Sequence, residues 1–199
     1  LPHLEELIAS FRKKGEEFSQ IIKMGRTQMQ DAVPIRLGQE FKAYSVAIMR
    51  DIHRMDKAMD EMRTLNMGGT AIGTGINADE GYLRRIVPNL TEISGMDFIQ
   101  AFDLIDSTQN LDPFVAVSGA VKACAVTLSK MSNDLRLMSS GPRTGFGEIN
   151  LPAKQNGSSI MPGKVNPVIP EVVNQVAFNI IGNDVTITMA AEAGQLELN

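Results

Sequence analysis

The sequence predicts an all-α protein, with long antiparallel helices packed as a central helical bundle. Three observations carry that prediction. Residues 38–66 and 113–139 each place apolar side chains at steps of three and four. A further long helix is signalled by Asn166–Pro167 and stays apolar toward Ala193. No stretch of useful length alternates with the period of two that marks a half-buried strand.

The elements follow in chain order. Leu4, Leu7, Ile8, Phe11, Phe18, Ile21 and Ile22 form a helical stripe over residues 3–23. "KMGRTQMQDAVPI" breaks the pattern with Gly25 and Pro34. Over 38–66, Phe41, Ile48, Ile52, Met55, Met59 and Met62 make a bundle-like seam. "NMGGTAIGTGIN" is too glycine-rich to continue that helix. Asp79 reads as the N-cap of a short helix running to Pro88 or Gly95. Over 113–139 the stripe is Phe114, Val117, Val121, Cys124, Leu128, Met131, Leu135 and Met138.

Residues 140–167 are irregular and rich in Gly and Pro. Structureless loops beyond ~12–15 residues are uncommon unless functional or disordered. Phe146, Ile149, Leu151 and Ile160 argue against disorder here. Asn166 then reads as an N-cap, with Pro167 at the favoured first helical position. The first half of this last helix is apolar on most sides, which predicts burial. The Met-rich seams also predict packing against other subunits.

Composition narrows the partners. The 199 residues are 43% hydrophobic and 21% charged, as in ordinary globular proteins. A net charge of −4 argues against nucleic acid, because polyanions repel an acidic surface. The one cysteine, Cys124, excludes an internal disulfide framework and fits a reducing compartment. No unbroken apolar run reaches the ~20 residues of a membrane span, and no signal-peptide pattern opens the chain. The expectation is a cytoplasmic protein without a membrane partner. The chain opens inside a helical pattern without Met and ends without a helix stop, so it reads as a piece of a longer protein.

"GSSIMPGKVNP", residues 157–167, is the densest cluster of chemistry. A phosphate loop needs four residues between its glycines and Ser or Thr after the Lys. Here five residues intervene, Val165 follows Lys164, and no buried strand precedes. "GTGINA" loosely fits a dinucleotide pattern but follows a helix, so a turn is the better reading. The alternative for the loop is an active site. A serine flanked by glycine, Lys164 and the amides after Asn166 would together favour a carboxylate or a developing oxyanion. The competing reading has Ser158 and Ser159 capping turns, Lys164 solvated and Asn166 only capping; residue types alone leave both open. In "GRTQMQDA", Arg26, Thr27 and Gln28 form a second polar cluster, either carboxylate donors or a structural turn. His3 and His53 read as exposed helical residues, Cys124 as core, and "DKAMDEM" as a solvated face. No metal-ligand spacing is present.

"GSSIMPGKVNP" resembles the signature loop of the aspartase/fumarase superfamily, and "GRTQMQDAVPIRLGQEF" resembles a second block of that family. The resemblance runs over essentially the whole chain. "NPVIPEVVNQV" and "GNDVTITMAAEAGQLELN" are similar to the aspartase branch, as is Gln28, where fumarases usually carry histidine. The resemblance implies an all-α homotetramer with active sites built from three chains. Residues 1–199 would be its central helical domain, without the N-terminal and C-terminal domains. It implies anti elimination of ammonium from L-aspartate to give fumarate. Ser158 would be the general base on a mobile loop. Ser159, Lys164 and Asn166 would bind the carboxylate being activated, and Thr27 and Gln28 would hold substrate oxygens from a neighbouring chain. With Gln28 in the histidine position, Glu171 is left a supporting role behind the residues that touch substrate. The resemblance implies no cofactor and no resident metal; some relatives are activated by a divalent cation. The alternatives are fumarate hydratase and a non-catalytic helical assembly domain.

Overall fold

A computed structural model describes residues 1–199. The helices are α1 Pro2–Glu17, α2 Leu37–Glu61, α3 Glu80–Ser94, a single turn α4 Asp106–Gln109, α5 Asp112–Met138 and α6 Val168–Glu192; α2, α3, α5 and α6 stand where the sequence puts them. Asp79 caps α3 by accepting the Tyr82 N–H at 3.1 Å, and left-handed Gly95 ends it. The chain divides into two compact units. One holds Leu1–His53 and Ala123–Ile181; the other holds Arg54–Lys122 and Gly182–Asn199.

The first unit is built on the start of α2. Ile8, Leu37, Phe41, Tyr44, Ile48, Met131 and Met138 form its buried core. Phe11, Phe18, Phe41 and Tyr44 pack there with ring centroids 5.1–5.9 Å apart, the edge-on geometry that aromatic quadrupoles favour. Gly38 is required at the approach of α1 to α2, since a Cβ there would lie 2.3 Å from the Gly15 carbonyl oxygen. The start of α2 packs on the end of α5, Phe41 and Tyr44 meeting Met138 and Asp134, so the two run antiparallel. α5 and α6 are antiparallel too: Asn174 donates to the Ser129 hydroxyl at 2.8 Å, and Arg136 donates to Asn174 at 3.2 Å.

In the second unit, β3 Thr64–Leu65 and β4 Ile99–Gln100 pair in parallel over two residues. The glycine-rich segment after β3 is a turn, not a nucleotide loop. Gly73 has φ +90°, and a Cβ there would strike the Ile105 backbone at 2.3 Å. Asp184 of α6 accepts from Ser118 at 2.8 Å and Lys122 at 2.5 Å, both on α5.

Four expectations need correction. The apolar stripe over residues 3–23 is not one helix. α1 stops at Glu17 because the Phe18 and Ile21 carbonyls accept from Gly38 and Leu37 instead of continuing the helical ladder. The following segment is a β-hairpin, β1 Ile22–Thr27 against β2 Gln30–Arg36, with a bulge near Gly25. No residue of either strand is fully buried, and the part-buried ones of β1 are Lys23, Gly25 and Arg26, so no apolar period of two shows. The hairpin turns on Gln28 and Met29 at φ 46° and 67°. Two non-glycine residues in the left-handed region suit a tight hairpin but cost about 1 kcal/mol or more each.

The third correction concerns α6. Ile169, Val172, Val176 and Phe178 are 51–64% exposed, while Asn174, Ala177 and Asp184 are buried. Two polar residues, Asn174 and Asp184, are thus on the face toward α5, while these four apolar ones lie outward. The fourth concerns α5, which is long and apolar enough to cross a membrane by length and composition. Its Ser and Lys residues interrupt every apolar run, which is why no unbroken span shows. Core helices of bundles pass the same test, and Ser118, Lys122 and Ser129 spend those polar groups on α6.

Candidate active site

The irregular segment 139–167 is organised by its own hydrogen bonds. Gly147 and Glu148 donate backbone N–H groups to the Ser140 and Met138 carbonyls at 2.8 Å, folding the chain back on the end of α5. Further on, the Ser158 N–H donates to the Lys164 carbonyl at 2.8 Å, and the Lys164 N–H donates to the Met161 carbonyl at 3.1 Å. Gly163, at φ +79°, allows this closed turn. The Ser158 hydroxyl oxygen accepts from the Ile160 and Met161 N–H groups at 3.2 and 3.1 Å. Two amide dipoles aimed at one oxygen favour its anionic form.

Lys164 and Asn166 line a cavity of about 550 Å³ between residues 139–153 and the start of α6. They also line a neighbouring one of about 460 Å³ with Asn133, Arg136 and Glu171. Lys164, Arg136 and the first amides of α6 give this region positive potential, which suits a carboxylate. The Asn166 carbonyl accepts the Val168 N–H at 2.9 Å, so α6 starts one residue later than the cap predicted from sequence.

Lys164, Asn166 and Glu171 therefore come together. Ser158 and Ser159 line neither cavity, and neither do Thr27 and Gln28 on the hairpin. Sequence reasoning missed Asn133 and Arg136. Arg136 sits 3.8 Å from Glu171, but an arginine in a last helical turn reads first as a partner for the helix dipole. Arg26 was a candidate donor to a substrate carboxylate. It is instead bound to its own chain: 2.6 Å from Glu148, 3.4 Å from Asp31 and stacked on Phe146 at 4.2 Å. No group of three or more His, Cys, Asp or Glu side chains is placed to hold a metal ion.

Glu148 is the centre of a second cluster. It pairs with Lys23 at 2.7 Å as well as Arg26, and Lys23 reaches Glu40 at 3.0 Å. Burial would raise the Glu148 carboxyl pKa, but hydrogen bonds from Lys23 and Arg26 outweigh it and hold it below the usual range. The same bond to Glu148 raises Arg26. Asp184 is also lowered, by Lys122 first and then Ser118. Burial and then Asp134 raise the Tyr44 phenol, so it stays neutral.

The two lowered carboxylates set a pH dependence. Their contribution to stability is complete above the unfolded values, about 3.9 for Asp and 4.3 for Glu. It is lost as pH falls through the lower folded values. The urea midpoint of the full-length protein should therefore hold from neutral pH to about 5 and drop below about 4. Glu148→Gln should flatten part of that drop; an unchanged acid limb would remove Glu148 from the account.

A family model described as lyase matches residues 1–182. The chain belongs to that family. All of the chain is matched, at 60% identity, by "Aspartate ammonia-lyase" of Pseudomonas canavaninivorans, and it spans 42% of that relative. Among solved structures it resembles the "fumarate lyase:delta crystallin" of Brucella melitensis bound to cobalt. The TM-score is 0.95 and the identity 55%, covering 98% of this chain and 43% of that one. It also resembles a class II fumarase from Schistosoma mansoni, with TM-score 0.91 and 38% identity over 99% of this chain and 44% of that one. The expected superfamily and the all-α fold are borne out.

Proposed function

We propose that residues 1–199 are the central helical domain of an aspartate ammonia-lyase, a cytoplasmic homotetramer that converts L-aspartate to fumarate and ammonium. The observation that carries the reading is the Ser158 oxygen held under the Ile160 and Met161 amides, in a loop closed on Lys164. The 60% identity to an aspartate ammonia-lyase supports L-aspartate as the substrate.

The chemistry follows from the charge that develops. Removing a proton from Cβ of aspartate pushes electrons into the adjacent carboxylate, which becomes a dianion. Ionised Ser158 takes that proton. The electron pair then forms the Cα–Cβ double bond as the C–N bond breaks on the opposite face, releasing ammonia; Ser158 gives up the proton it took, and ammonia gains one to leave as ammonium. A free serine is a poor base; the two amides and nearby positive charge lower the cost of ionising it. Lys164 and Asn166, with Ser159, stabilise the dianion as preorganised donors. Loop closure excludes water from the reacting centre. Thr27 and Gln28 reach substrate from a neighbouring copy, which fits their absence from the lining of this chain's Lys164 cavity. Glu171 supports the site from the first turn of α6. The reaction requires no cofactor, and its partners are a small dicarboxylate and other copies of the chain.

The experiment offers the full-length protein L-aspartate or L-malate and follows fumarate by ultraviolet absorbance. Fumarate should form from aspartate. Turnover of malate alone would replace this reading with fumarate hydratase, and turnover of neither would favour a non-catalytic assembly domain.

A further inference from the structure

We propose that Glu148 is a positioning residue that sets the hairpin turn carrying Thr27 and Gln28. This rests on the reading of Thr27 as a substrate-binding residue.

The hairpin has little else to hold its shape. Its strands are mostly exposed, and its turn places Gln28 and Met29 in the left-handed region. Strained backbone persists only where its surroundings over-determine it. The constraint comes through charge. Arg26 lies one residue before Thr27 and faces Asp31 across the ladder. Its guanidinium bonds both Asp31 and Glu148, so one side chain ties the two strands together just below the turn and ties both to residue 148. Lys23, three residues back on the same strand, gives Glu148 a second anchor at 2.7 Å. Glu148 and Lys23 are largely withdrawn from water, with 15% and 10% of their side chains exposed. Screening is therefore weak, and the geometry is tighter than an exposed pair would hold.

Glu148 is itself fixed. Its backbone N–H is bonded to Met138, the last residue of α5. The segment leaving that point runs on to Ser158 and Lys164. One carboxylate thus fastens the hairpin to the root of the base-bearing segment. Movement of the hairpin relative to α5 would displace Thr27 without touching the proton-transfer residues, so the kinetic signature belongs to substrate binding.

The test is a double-mutant cycle in the full-length enzyme, reading KM and kcat for L-aspartate, with tetramer content checked by light scattering. Thr27→Ala should raise KM about tenfold, on the scale of one lost hydrogen bond. Glu148→Gln should raise KM to a similar degree, with kcat changed less than about threefold. Adding Glu148→Gln to Thr27→Ala should raise KM less than Glu148→Gln does alone, because of the two residues on the turn only Gln28 is then left to displace. Arg26→Gln breaks the same bond from the other end and should reproduce the KM change, which covers a Glu148 variant that fails to fold. If Thr27→Ala raises KM while Glu148→Gln and Arg26→Gln do not, the positioning role is wrong and the binding role of Thr27 stands. Effects that multiply would make Glu148 independent of Thr27 and overturn the proposal. An unchanged KM in Thr27→Ala would overturn the reading of Thr27 and the proposal with it.

Discussion

Replacing Ser158 with alanine in the full-length enzyme is expected to lower kcat for L-aspartate by about 10²–10⁴-fold, the range a positioned base contributes. The oligomeric state and the helical circular dichroism should be unchanged. The substitution removes one hydroxyl from an irregular loop; what it loses structurally is two weak bonds, from the Ile160 and Met161 amides at 3.2 and 3.1 Å. Ile160 and Met161 are exposed, so their amides regain water, and the cost falls on the chemical step. The pattern separates a base from a turn-former. If Ser158 only shaped the loop, Ser158→Asn would restore activity, since an asparagine side chain also accepts from amides two and three residues ahead. Near-normal turnover in the alanine variant would remove Ser158 as the base.

On the proposed homotetramer, Val176→Asp should abolish assembly and, with it, activity. Val176 lies near the middle of an apolar stripe on α6 with Ile169 and Val172, all more than half exposed in the single chain. Water does not tolerate large contiguous apolar patches on folded proteins without a use for them. Covering this stripe with other copies would bury it, and an aspartate there would bring an unpaired charge into the interface. The effective penalty is several kcal/mol per ion, repeated in every copy of a symmetric assembly. The helix itself should survive, because its inward face is Asn174, Ala177 and Asp184, which the change leaves alone. Light scattering and fumarate release read the two effects together. A Val176→Asp tetramer with normal turnover would show that this stripe is not the assembly surface.

The fold was legible wherever an element buries one face. α2 and α5 announce themselves because their stripes meet a core, and α3 because Asp79 and Gly95 mark its ends by local chemistry. The hairpin was not legible, because exposed strands leave no alternation and its turn uses Gln28–Met29 instead of a glycine signal. α6 was legible as a helix but not in its orientation. Apolar residues on most sides say that a helix is buried, not by what. Within one chain, the polar minority of Asn174 and Asp184 turned out to choose the inward face.

The sequence by itself determined the long helices and the loop that carries Ser158, Lys164 and Asn166, since these three are close in the chain and their spacing survives any packing of the rest. Only the tertiary structure decided which charges neutralise one another. Arg26 and Glu148 are 122 residues apart. No local pattern reports such a pair: helical and strand periods describe the backbone over a few turns, whereas an ion pair forms only after the hairpin, the end of α5 and the segment beyond it have been brought to one place. That assembly is why a residue that looked free to bind substrate proved to be committed to its own chain.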